Sequence, residues 1–169
     1  MDARGVRPGN VVDSFVELCR RRFEFLTQEH ECRLRQIKKY NYDATVTYLN
    51  RTTGVQIGFE PRMGGVFVTL ARLTEGEFPL YPQGHIEGTN DPSAFDLEDL
   101  VKLRGGETVN QTSINVTNPS LDALDRVLVQ YAHKLRDYGG PILSGDFSVF
   151  PDLAKIVRKR AAYFKAEGW

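Results

Sequence analysis

The sequence predicts an α+β fold: an N-terminal helix, a four-stranded antiparallel meander, a short helix after an acidic loop, and two C-terminal helices packed on the sheet. Apolar residues recur at three- and four-residue spacing near both ends of the chain, the mark of amphipathic helices. Between residues 32 and 72 the period drops to two, and short turn-rich connections join the alternating runs, which points to hairpins.

The first helix is expected over Val11–Glu29, where Phe15, Leu18, Cys19, Phe25 and Leu26 share a face and Asn10 or Asp13 supplies the cap. Strands follow at Cys32–Tyr40, Tyr42–Asn50, Val55–Glu60 and Val66–Arg72. Val46 and Tyr48, then Val55, Ile57 and Phe59, then Val66, Val68 and Leu70 line one pleated face. Leu34 and Ile37 fall out of step in the first strand. Arg51-Thr52-Thr53-Gly54 and Pro61-Arg62-Met63-Gly64-Gly65 have turn composition, so neighbouring strands should pair antiparallel.

Thr74–Ala94 lacks any period and reads as a long surface loop. Ser93-Ala94-Phe95-Asp96 has the pattern of a capping box opening a short helix to about Leu103, and a polar segment then runs to Thr117. Asn118-Pro119 suggests the start of a helix reaching Tyr138, with Leu121, Leu124, Leu128, Tyr131, Ala132 and Leu135 as its apolar stripe and Gly139-Gly140-Pro141 as its stop. A last helix is expected over Phe150–Ala166, with Leu153, Val157, Ala161 and Phe164 on one face. No repeat or linker divides the chain, so residues 1–169 read as one domain, with 1–9 flexible.

At 169 residues the chain can bury a core without metal or disulfide staples. Met1–Asn10 lacks the apolar run of a signal peptide and no stretch approaches a membrane span, so a cytoplasmic protein is expected. Cys19 and Cys32 then read as reduced, buried thiols, and the glycosylation-like triplets at Asn50, Asn110 and Asn115 have no role. Twenty-two acids balance 22 bases, which argues against a nucleic-acid binder. Leu73–Asp99, in contrast, holds seven acids and no Lys or Arg, a local charge of −7.

Helical geometry sets Arg22 between Leu18 and Leu26, and Arg160 between Ile156 and Leu153, so both guanidinium groups interrupt apolar arcs. Each should snorkel, form an ion pair with a carboxylate for which Asp146 is a candidate, or line a pocket for an anionic ligand. The triplets Arg20-Arg21-Arg22 and Arg158-Lys159-Arg160 splay around their helices and make no flat phosphate-binding patch. His30 lies at a helix end and His133 on a polar helix face, while His85 with Glu87 and Asp91 matches no metal-ligand spacing. Phosphate loop, dinucleotide fingerprint and nucleophile elbow are all missing from the sequence, so neither a cofactor nor a metal is expected, and the chain reads as a non-enzyme.

The order of Phe23-Glu24-Phe25-Leu26, the meander, Gly76-Glu77-Phe78-Pro79-Leu80-Tyr81, Asp96-Leu97, Tyr131-Ala132-His133-Lys134-Leu135 and Leu143-Ser144-Gly145-Asp146 resembles small bacterial immunity proteins of polymorphic toxin systems. That resemblance spans most of the chain and implies a cytoplasmic, non-catalytic inhibitor that binds a cognate toxin and blocks its active site or substrate access. The acidic loop is the expected contact: Glu75, Glu77, Glu87 and Asp91 would steer a basic partner, with Phe78 and Tyr81 as aromatic anchors. Two other roles stay open, a structural or adaptor subunit of a bacterial defence complex and a small anionic-ligand binder using Arg22 or Arg160. The oligomeric state is unassigned.

Overall fold

The computed structural model describes residues 8–63, 65–79, 92–112, 114–115 and 119–168, without the side chains of residues 8–10 and 63. Helix α1 spans Pro8–Arg22 and α2 spans Phe25–His30, followed by strands β1 Arg33–Lys39, β2 Ala44–Leu49, β3 Thr53–Glu60 and β4 Gly65–Arg72. Strand β5 Ala94–Asp96 leads into α3 Leu97–Leu103, and α4 Leu121–Tyr138, α5 Gly140–Leu143 and α6 Phe150–Ala166 complete the chain. The sheet is antiparallel throughout, in the order β1-β2-β3-β4-β5.

This α+β architecture differs from the sequence expectation in five places. The sheet has five strands instead of four, because Ala94–Asp96 pairs with Thr69–Ala71 before the helix begins. Asp96, whose carboxylate accepts from the Glu98 N–H at 2.9 Å, caps α3. The first helix starts at Pro8, ahead of both Asn10 and Asp13, and it breaks at Phe23-Glu24. Residues two apart on a continuous helix point about 200° from each other; the break lets Phe23 and Phe25 both enter the core. Ser120, whose side chain accepts from the Ala123 N–H, caps α4 in place of Asn118, and the Gly139-Gly140-Pro141 stop opens the extra turn α5.

The register aligns the apolar residues in rows across one face: Ala44, Phe59 and Val66; Val46, Ile57 and Val68; Tyr48, Val55, Leu70 and Phe95. All ten are buried, and helices pack on this face, with the Phe15 ring 5.4 Å from that of Phe59 and the Phe150 ring 4.8 Å from that of Phe95. From α4 come Leu124, Val127, Leu128, Tyr131 and Leu135, whereas Leu121 is exposed. Leu34 and Ile37, three apart in sequence, nevertheless face Tyr48 and Val46, because a β-bulge between Leu34 and Gln36 absorbs one residue.

The other face carries Thr45, Thr47, Gln56 and Thr69 together with Gly54, Gly58, Leu49 and Phe67. Two of its glycines have steric reasons: the Phe67 ring lies over Gly58 and the Phe78 ring over Gly54, where any Cβ would collide. Beyond the three residues of β5, the outward backbone of Val66 has no strand partner among the described residues, and the Gln111 amide takes that place. It accepts from the Val66 N–H at 2.8 Å and donates to the Val66 carbonyl at 2.8 Å. The polar segment after α3 is thereby fastened to the sheet.

Candidate functional site

The expected acidic contact begins in a tight turn. Glu75 and Gly76 both have positive φ, 53° and 78°, the pattern of a type I′ turn, and Thr74 and Glu77 exchange backbone hydrogen bonds across it. Glu75 and Glu77 are exposed, and Glu77 accepts from the Arg35 guanidinium at 3.0 Å. Phe78 is half-buried against Gly54, so it anchors the turn to the sheet instead of standing free. Tyr81, Glu87 and Asp91, with His85, lie outside the described residues.

Neither arginine meets Asp146. Arg22 grips Asp125 with two hydrogen bonds, 2.8 and 2.6 Å, across the α1–α4 contact. The guanidinium holds the Asp125 carboxyl below its ordinary value, and the hydrogen bond to that carboxylate raises Arg22. Arg160 donates to the buried Asp99, joining α6 to α3. Asp146 accepts from the Ser148 N–H at 2.9 Å in a local turn, and that bond lowers its pKa.

Burial also shifts the thiols and two of the tyrosines. Cys19 and Cys32 are free and buried, and burial raises both thiols, Cys32 to about 11, away from nucleophilic chemistry at neutral pH. Burial likewise pushes Tyr48 up to about 12 and raises Tyr131, whose hydroxyl takes a hydrogen bond from Gln111 at 2.9 Å. Asn50 uses its whole amide: Oδ1 accepts from the Thr52 and Thr53 N–H groups, and Nδ2 donates to the carbonyls of His30 and Leu143. The sequence marked Asn50 only as a glycosylation-like triplet. Among the described residues no three His, Cys, Asp or Glu side chains gather as a metal site, and no helix is long and apolar enough to cross a membrane.

Among the described residues, an exposed and strongly basic surface lies at the β1 edge of the sheet, which the sequence reading did not single out. Strand β1, Arg33-Leu34-Arg35-Gln36-Ile37-Lys38-Lys39, has four bases and no acid, and every residue except the half-buried Ile37 is exposed. Leu34 (39% exposed), Tyr40 (63%) and Tyr42 (49%) add apolar surface beside it. Register sets Gln36 and Lys38 on the face opposite the described helices, where a groove of about 510 Å³ runs along Arg35, Thr47, Gln56 and Phe78. A second groove, of about 700 Å³, begins at Arg33 and reaches Asn50 and Arg51. Lys39 pairs with Asp13 at 2.7 Å and Arg35 with Glu77, whereas no described carboxylate forms an ion pair with Arg33, Lys38 or Arg51. The signal available in the sequence was four bases within seven residues of an alternating strand.

This arrangement offers charge, exposed aromatic surface and strand backbone with no strand partner among the described residues, which suit recognition of a macromolecule. No protein-family model, curated protein or solved structure matches the chain.

Proposed function

We propose that this chain is a non-catalytic protein-binding inhibitor that acts in the cytoplasm by covering a partner's functional surface, as an immunity protein covers its toxin. The observation that carries the reading is the exposed edge strand β1, with its four bases and neighbouring Leu34, Tyr40 and Tyr42, set directly beside the acidic turn Thr74–Glu77. Opposite charges side by side fix the orientation of an incoming protein and accelerate its encounter. Glu75 and Glu77 belong to the −7 segment that also contains Glu87 and Asp91, and Tyr81 is the aromatic side chain of that segment proposed to contact the partner.

The test is co-purification of the tagged chain from its host, followed by expression of the recovered protein alone and together with this chain. The expected result is a stoichiometric partner that arrests growth alone and is silent when co-expressed. Turnover of a small compound by the purified chain, abolished by changing one polar side chain, would overturn the proposal. Glu75→Lys, which alters an exposed turn residue, is expected to slow association with that partner and weaken its salt dependence, read by stopped-flow fluorescence.

A second reading, an adaptor subunit of a larger defence assembly, draws support from α6. Phe150, Leu153 and Ala154 are buried, Val157 is half-buried, and residues 158–168 are all exposed, among them Tyr163 (63%) and Phe164 (50%). The expected apolar face of this helix therefore continues past the core into solvent at Ala161 and Phe164.

A further inference from the structure

Strand β1 has one side without a described strand beside it. Its inner side pairs with β2, and no strand among the described residues pairs with the outer one. The Tyr40 N–H donates inward to the Asp43 carbonyl at 2.8 Å. Antiparallel strands alternate inward and outward backbone groups, so Lys38 points its groups towards Thr45 while Ile37 and Lys39 turn theirs away from β2. These outward amides and carbonyls lie within a row of bases, next to a polar groove on the face opposite the described helices.

That charge determines what can pair there. A second copy of β1 would set four bases against four, an unfavourable match, and the bulge at Arg35 further discourages flat pairing between like edges. An extended strand rich in Asp or Glu instead satisfies the outward backbone groups and places carboxylates beside Arg33 and Lys38, which have no ion pair with a described carboxylate. We propose that β1 is a docking edge for an extended acidic segment of a partner protein, which adds a further strand to the sheet. This inference rests on the protein-binding reading and specifies where and how the partner engages.

The probe is a fluorescent synthetic peptide alternating Glu with Val, measured by polarisation against the full chain, with Lys-for-Glu and Pro-for-Val versions as controls. The Glu peptide is expected to bind roughly tenfold more tightly than either control, and to slow hydrogen exchange at the Ile37 and Lys39 amides. Arg33→Glu combined with Lys38→Glu should lose about tenfold in affinity. Lys39→Pro deletes one outward N–H and should lose as much, whereas Lys39→Ala, which removes the same ion pair with Asp13, should stay within about threefold of the parent. Equal binding of the Glu and Pro peptides, or equal binding by Lys39→Pro and Lys39→Ala, overturns the strand-addition proposal. Should a growth-arresting partner still co-purify in that case, the inhibitor reading stands and only the docking edge is wrong. Absence of any such partner alongside tight peptide binding would separate the two in the opposite sense.

Discussion

Single side chains fix how the helices sit on the sheet. Because Arg22 depresses the Asp125 carboxyl below its ordinary value of 3.8, the stabilisation from this pair is fully present above that value and is lost as pH falls through the lower folded value. Arg22→Met should therefore lower the urea midpoint at neutral pH, and the gap to the parent should close in acid. A gap independent of pH would mean that Arg22 acts by packing alone. Asn50 braces the β2–β3 turn through the Thr52 and Thr53 N–H groups and ties it to α2 and α5 through the His30 and Leu143 carbonyls, and Asn50→Ala should cost about 2 kcal/mol in urea unfolding, part of the penalty being moderated by solvent. These partnerships were invisible in the sequence, since Arg22 and Asp125 lie 103 residues apart and nothing local points one to the other. That Arg22 interrupts an apolar arc and needs a polar neighbour was legible; which neighbour was not.

At the scale of elements, what was legible followed from strong periodicity. β2, β3 and β4 alternate cleanly, so the sequence predicts both their pairing and their buried rows. Strand β1 resists that logic because its bulge shifts the period between Leu34 and Ile37, and β5 is only three residues long, too short to display a period before the Asp96 cap. The break after α1 was hidden because Phe23 and Phe25 each look apolar, whereas only a change of axis buries both. For α6 the wheel was sound but the core ends early: a helix face says which side is apolar, not how far a neighbour extends. Deleting residues 161–169 retains Arg160 and its bond to Asp99, and should change the melting temperature by less than about 2 °C. A larger drop would show that the exposed half supports the core.

Across the whole molecule, zero net charge conceals a basic strand edge beside an acidic turn. The acidic segment was evident from composition, but the basic counterpart emerged only once the strand order made β1 an edge, because alternation does not distinguish edge from central strands. Side by side, the basic edge and the acidic turn are joined at Arg35 and Glu77 and form the face on which the inhibitor reading depends. The most direct test of that reading is hydrogen exchange of the chain alone and in complex with the partner it co-purifies with. Slowed exchange centred on β1 and the Thr74–Glu77 turn is the predicted result. Unchanged exchange in both, with protection confined to another surface, would contradict the account.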